Sequence, residues 1–216
     1  MTAPERRERR RLGRLHRIER ELRAVGIRAI GGLDEVGRGP LAGPVVAACV
    51  VLERPLMLPG LDDSKRVPAA RRERLADQIR GQALAFAIGE AGVAEIDAIN
   101  IHRAGLLAME RALAALAVEP EFLLIDAFRV AAYAGPQRAI AGGDACCAAI
   151  AAASILAKVH RDRLLCELDA LFPCYGFAVH KGYATAAHLQ ALAQHGPCPA
   201  HRRSFAPVRL ALGARS

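Results

Sequence analysis

Four acidic residues stand where apolar segments stop. Asp34 and Glu35 directly follow the apolar run 27–33, Asp126 closes Phe122-Leu123-Leu124-Ile125, and Asp144 follows Gly142-Gly143 and opens an alanine-rich stretch. If those edges meet, several carboxylates share one pocket. Like charges that close raise one another's pKa unless a cation neutralises them. Oxygen donors without histidine or cysteine favour Mg²⁺ or Mn²⁺ over zinc. Two such ions can activate a water and stabilise the leaving oxygen in phosphodiester cleavage. Each acid also has a plainer reading: Asp144 as a helix cap, Asp126 as a surface strand end, Asp34 and Glu35 as loop acids. Four acids at element edges together favour a site. Neighbouring side chains on a regular strand face opposite sides. Asp34 and Glu35 therefore both face one metal only if the strand ends or bulges; otherwise Glu35 offers a backbone carbonyl or stands behind the ligands.

Three loop motifs could hold a substrate for those acids. Gly37-Arg38-Gly39 allows backbone to approach a ligand closely, since glycine has no Cβ. Asp63-Ser64-Lys65 offers a hydroxyl and a cation suited to phosphate. His180-Lys181-Gly182-Tyr183 sets a cation beside an aromatic just before a helix, a platform for a sugar or base. His195, Cys198 and His201 have ligand-like spacing, but Pro197 and Pro199 flank the cysteine and no fourth zinc ligand is evident.

The elements that must position these residues follow from periodicity. Leu12, Leu15, Ile18, Leu22 and Val25 form one stripe of a helix over 5–25, with arginines on its other faces and Gly26 as its stop. The runs 27–33 and 45–52 predict two strands joined by a loop dense in glycine and proline. A helix is expected over 68–80, a strand over 83–91, and helix over 96–118 with a split near Asn100. A strand over 121–126 and a long alanine-rich helix over 145–171 come next. A last helix covers 183–195, ahead of a proline-broken tail. This order implies an α/β domain with a mixed sheet whose first three strands form an antiparallel meander. The expected division is a basic amphipathic helical extension, 1–26, and a catalytic domain with C-terminal helices, 27–216.

Charge is concentrated at one end. The net charge is +8, and residues 1–28 hold ten arginines against four glutamates, so +6 of it lies there. A basic arm suits a polyanion such as nucleic acid, though a solvated helix face explains it as readily. No apolar run reaches the roughly 18 residues that span a bilayer, and no apolar segment follows the basic N-terminus. The expectation is a soluble cytoplasmic protein with no membrane partner. Its six cysteines, none in a C-x-x-C pair, are expected to be reduced.

Read together, these motifs resemble those of bacterial ribonuclease HII. The resemblance is carried by Asp-Glu-Val-Gly-Arg-Gly-Pro-Leu-Ala-Gly-Pro-Val at 34–45, Asp63-Ser64-Lys65 and Leu124-Ile125-Asp126. It continues through Ile-Ala-Ala-Ala-Ser-Ile-Leu-Ala-Lys-Val at 150–159 with Arg161-Asp162, then Tyr175-Gly176-Phe177, His180-Lys181-Gly182-Tyr183 and His201-Arg202-Arg203-Ser204-Phe205. It spans about 28 to 208. It implies a ribonuclease-H-like mixed sheet flanked by helices, with a helical C-terminal region. The implied activity is metal-dependent endonucleolytic cleavage of RNA in RNA–DNA hybrids. That includes single ribonucleotides embedded in duplex DNA, as in ribonucleotide excision repair, cut on the 5′ side to leave a 3′-hydroxyl and a 5′-phosphate. The family's acidic quartet falls on Asp34, Glu35, Asp126 and Asp144, holding Mg²⁺ or Mn²⁺. Its 2′-hydroxyl-reading turn falls on Gly37, Arg38 and Gly39, and its deoxyribose-stacking tyrosine on Tyr183. Ser64, Lys65 and Lys181 complete the expected substrate contacts, and a monomer is expected. The related ribonuclease HIII usually has lysine in that turn and glutamate as its fourth acid; Arg38 and Asp144 point away from it.

Three positions depart from the family pattern: Ala127 stands for a glycine, Gly142 for a lysine, and Arg66-Val67 for Lys-Leu. Two other function classes compete. A catalytically silent hybrid-binding protein would not need four acids. An adaptor would bind protein through the arm's apolar stripe.

Overall fold

The computed structural model describes residues 2–213. Its sheet has β1 (Ile30–Val36), β2 (Val45–Leu52), β3 (Ala85–Ala91), β4 (Phe122–Asp126) and β5 (Gln137–Ile140), in the order β3-β2-β1-β4-β5. The pairs β1–β2 and β2–β3 are antiparallel; β1–β4 and β4–β5 are parallel. The expected meander is present, and β4 joins it in parallel, as a strand reached through helices does. All eight residues of β2, an unbroken apolar run, are buried, because helices cover both faces of the sheet.

One face carries α3 (Ala69–Gln82) and α6 (Ala148–Leu171); the other carries α4 (Val93–Ile99) and α5 (Ile101–Ala114). Alanines at 151, 152, 153 and 157 are wholly buried and let α6 lie close to the sheet. The approach is closest at Gly32 of β1, where a Cβ would stand 2.0 Å from the carbonyl carbon of Ala149. Only glycine fits there, so the start of α6 is pressed onto the strand two residues before Asp34.

The single helix expected over 5–25 is two, α1 (Ala3–Leu15) and α2 (Arg17–Ala24). They part at His16, whose Nε2 lies 2.9 Å from the Leu56 carbonyl. Their stripe of Leu12, Leu15 and Ile18 is buried in the same core as β2, α3 and α6. The split at Asn100 is real: φ of 70° ends α4, and its Oδ1 accepts N–H bonds from His102 and Arg103 to start α5. The long helix begins at Ala148 rather than 145, and Asp144 sits in a 3₁₀ turn, Gly143–Ala145, ahead of it. The helix expected over 183–195 starts later, as α8 (Ala186–His195). Sequence periodicity did not anticipate β5, α7 (Phe177–His180) or α9 (Ala206–Gly213). Each is short, and β5 is a sheet edge whose residues are half-buried or exposed. Among the described residues, no helix is long and apolar enough to cross a membrane.

Candidate metal centre and nucleic-acid interface

Register brings the first two acids together. Leu33 of β1 pairs with Ile125 of β4 in parallel, so Asp34 and Asp126 are the next residues on adjacent strands, roughly 4.8 Å apart at the backbone. Asp126 Oδ1 accepts the Gly143 N–H at 2.8 Å, which ties the turn holding Asp144 to the end of β4. Asp34 is 6 % exposed and Asp144 7 %. Burial, then the charges of Glu35, Asp126 and Asp144, push the Asp34 carboxyl well above the usual carboxylate range. Asp144 is raised too, by burial and by Asp63 and Asp126. These are the signs of a pocket built to be neutralised by a cation. Lys65, mostly exposed, places Nζ 3.8 Å from Asp144 Oδ2. Burial alone would lower its pKa; the charges of Asp144, Asp63, Asp34 and Asp126 outweigh that and raise it.

Glu35 faces the other way. β1 stays regular through Val36, with Glu35 paired to Ala47, so strand alternation turns its side chain toward α5, where a Cβ added at Gly105 would stand 4.0 Å from its Cγ. Burial raises its carboxyl, and Arg38 pulls it back down. Arg38 Nη1 lies 3.3 Å from Glu35 Oε1, with its guanidinium 5.4 Å from the centre of the Phe128 ring. Glu35 Oε2 is buried with no hydrogen-bond partner. Asp126, at the strand end, acts electrostatically on both Asp34 and Glu35. The structure thus groups Asp34, Asp126 and Asp144, with Glu35 adjoining from the α5 side. Among the described residues no three His, Cys, Asp or Glu side chains form a group that could hold a metal ion unaided. Mg²⁺ in general needs only one or two carboxylates, with water and substrate phosphates filling the rest. An oxygen-only donor set, a buried carboxylate oxygen lacking a partner, and a strongly raised Asp34 all fit such an ion.

Two buried arginines that sequence reading left without a role build the turn. Arg202 is 0 % exposed and donates to the carbonyls of Gly37, Arg38, Pro40, Gly43 and Pro44 at 2.6–3.2 Å. Arg161, also 0 % exposed, donates to Pro44, Lys181 and Ala42. Burial lowers their pKa values, to about 9 and about 10. In a trans peptide the carbonyl and the following N–H point in opposite directions. Carbonyls of Gly37 and Arg38 turned in to Arg202 therefore turn the N–H groups of Arg38 and Gly39 outward. Gly37, at φ 96°, has no room for a side chain: a Cβ would meet Arg161 Nε at 2.3 Å.

The other motifs divide. Tyr183, 45 % exposed, sets its ring edge beside Gly39, 3.6 Å from where a Cβ would stand. Ser64 is buried, its Oγ accepting from Ser154 at 2.7 Å, so it anchors the loop that carries Lys65. Asp63, unassigned from sequence, raises the Asp144 carboxyl by its charge and accepts the Lys65 N–H at 2.8 Å. Lys181 turns Nζ toward α6, 3.1 Å from Cys166 Sγ. Glu19 of α2 is wholly buried, and its Oε1 accepts the Ala149 N–H at 2.8 Å and the Cys147 thiol at 3.3 Å. A residue of the basic arm thereby caps the helix that follows Asp144.

The family described as Ribonuclease HII matches residues 31–208. Ribonuclease HII of Desulfitobacterium hafniense is 55% identical over 199 residues, covering 92% of this chain and 76% of that protein. Ribonuclease HII 1 of Methylibium petroleiphilum is 55% identical over 191 residues, covering 88% and 96%. Among solved structures, ribonuclease H2 from Pyrococcus horikoshii superposes with a TM-score of 0.74 at 24% identity, covering 86% of this chain and 98% of that one. The mixed five-stranded sheet with its flanking helices is thus that of a ribonuclease-H-like fold. The chain belongs to the ribonuclease HII family, enzymes that cleave RNA in RNA–DNA hybrids.

Proposed function

We propose that this enzyme cuts the backbone on the 5′ side of a ribonucleotide, including one embedded alone in duplex DNA, and leaves a 3′-hydroxyl and a 5′-phosphate. The observation that carries this reading is the meeting of Asp34, Asp126 and Asp144 at the end of the β1–β4 pair, beside a turn whose N–H groups face out. Asp34, Asp126 and Asp144, with Glu35 from the α5 side, would hold two Mg²⁺ or Mn²⁺ ions. Bound there, such ions supply an activated water and a stabilised leaving oxygen. The protein's own groups orient the substrate. The outward N–H groups of Arg38 and Gly39 read the ribose 2′-hydroxyl, the one handle that tells RNA from DNA at a given position. Lys65 draws phosphate toward Asp144, and Tyr183 stacks on the sugar of the next, deoxy, nucleotide. The Arg38 side chain holds Glu35, so the turn reads through its backbone.

The test is a cleavage assay on duplex DNA carrying one ribonucleotide, with and without Mg²⁺ or Mn²⁺. We expect a single cut 5′ of the ribonucleotide, dependent on the ion. Cleavage that persists in chelator, or a cut on the 3′ side, would sink the reading.

A further inference from the structure

Histidines with no part in the chemistry above tie down the segment that carries Tyr183. His188 of α8 places Nδ1 2.8 Å from the Tyr183 carbonyl oxygen and Nε2 3.0 Å from Nε2 of His201. His201 Nδ1 receives the Cys198 backbone N–H at 3.0 Å, with the Cys198 sulfur 3.1 Å away. His188 is 0 % exposed and His201 1 %.

A backbone N–H can only donate, and that fixes every proton along the line. Nδ1 of His201 is an acceptor, so a neutral His201 carries its proton on Nε2. That proton points at His188 Nε2, which must accept it. The proton of His188 is then on Nδ1, and it is donated to the Tyr183 carbonyl. His180, stacked on His188 with ring centres 4.3 Å apart, is fixed the same way. Gly182 N–H donates to its Nδ1 at 3.2 Å, so its Nε2–H donates to the Tyr175 carbonyl at 2.7 Å.

We propose that His188 and His201 are positioning residues for Tyr183. A one-way hydrogen-bond chain, Cys198 N–H to His201 to His188 to the Tyr183 carbonyl, sets where the phenol ring stands beside Gly39 and so how sharply the RNA-to-DNA step is recognised. This rests on the reading of Tyr183 given above. Tyr183 also uses its N–H on the His180 carbonyl at 3.0 Å, and the Gly182 carbonyl accepts the Leu41 N–H at 2.8 Å. Leu41 in turn accepts the Arg202 N–H at 2.8 Å, and the Tyr183 carbonyl also accepts the Thr185 N–H at 2.8 Å; the histidine chain adds a side-chain link from this carbonyl to the tail at 198–201. It holds only while both rings are neutral, because a second proton would set two N–H groups head to head across 3.0 Å. Burial first, then the neighbouring imidazoles, lower both from the ordinary histidine value, His201 to about 4. The Tyr175 ring, centred 4.7 Å from that of His201, packs on the same group, and Arg161 donates to the Lys181 carbonyl, two residues before Tyr183, at 3.1 Å.

Two measurements test this. Long-range ¹H–¹⁵N spectra of the wild type should show His188 protonated on Nδ1 and His201 on Nε2; the opposite tautomer at either overturns the chain. Kinetics then compare kcat/KM, with Mg²⁺ present, on a duplex holding one ribonucleotide and on a continuous RNA–DNA hybrid. His188→Asn keeps an amide N–H near the Nδ1 position, whereas His188→Gln moves the amide toward the Nε2 position and leaves the Tyr183 carbonyl without that donor. We expect His188→Gln to lose about fivefold more on the single ribonucleotide than on the hybrid, mostly in kcat, with His188→Asn restoring most of it. Equal behaviour of the two variants overturns the inference. Tyr183→Ala, measured alongside, separates the failures. An equal loss on both substrates shows that Tyr183 does not read the junction, and the inference falls with that reading. A selective loss in Tyr183→Ala without one in His188→Gln defeats the positioning role alone. If both histidine variants unfold, the wild-type tautomers decide.

Discussion

Asp34 concentrates the electrostatic cost of the site. Its carboxyl is raised well above the ordinary range by burial and by three neighbouring acids. A carboxylate whose folded pKa lies above its unfolded value destabilises the protein once pH exceeds that unfolded value. Asp34→Asn should therefore abolish detectable cleavage yet raise the melting temperature of the metal-free protein at pH 7, by about 2–4 °C for each kcal/mol relieved. An unchanged or lower melting temperature would show that the acids are not repelling one another. Ala127, next to Asp126, has φ 59°, a left-handed backbone that costs a side-chain-bearing residue about 1–2 kcal/mol. Ala127→Gly should stabilise by about 1 kcal/mol in urea melts and leave kcat intact; destabilisation would mean that lost chain entropy outweighs the strain. Gly142, at φ 66° with open space around its Cβ position, adopts a left-handed backbone that glycine takes without strain. Asp34 and Asp126 stood out in the sequence as acids at the ends of apolar strands, and Asp144 as the acid ahead of an alanine-rich helix. Glu35's direction was legible as a dilemma, and strand alternation resolved it. Arg161 and Arg202 were not, because an arginine in a sequence reads as a surface residue and nothing local says that it will be buried under a ring of carbonyls.

At the level of elements, the site is a seam between a helix start and two strand ends. Glu19 caps α6 from α2, with its carboxylate buried and one oxygen, Oε2, lacking a partner. Glu19→Ala should cost about 1–3 kcal/mol, since it strands the Ala149 N–H in the core. Because Asp144 hangs on the preceding turn, the variant should also bind Mg²⁺ more weakly by calorimetry; unaltered ion affinity would confine Glu19 to stability. Arg202→Lys leaves one ammonium to serve carbonyls that now share a planar fork. It should lower kcat/KM about tenfold or more on ribonucleotide-containing duplex, and wild-type activity would show that the turn holds itself. Strongly periodic elements were readable: β2, α3, α5 and the break at Asn100. The four-residue β5 offered too few positions for a pattern. The arm's stripe was visible from Leu12 to Val25, but periodicity alone cannot say what a stripe faces; here Leu12, Leu15 and Ile18 complete the core over β2, while Val25 is left 77% exposed.

For the whole molecule, pH and chain order set the terms on which the site exists. His201, lowered from 6.5 to about 4 by burial and by His188, binds fewer protons folded than unfolded between those values. Stability from this group is complete above pH 6.5 and is lost as pH falls toward 4. Urea midpoints followed from pH 7 to 4.5 should decline less steeply in His201→Gln than in wild type; parallel slopes would refute the assignment. The parallel pairing of β1 with β4 has a consequence for how the enzyme comes into being. Some ninety residues separate Ile30 from its partner Phe122, and pairings so distant in sequence form slowly and late. The local meander of β1, β2 and β3 can close while the chain is still being made. It then displays Asp34 and the glycine turn alone. Asp126, Asp144 and finally Arg202 arrive afterwards. A nascent chain on the ribosome, surrounded by RNA, thus lacks the proposed metal-holding acids until β4 and the turn before α6 have been made.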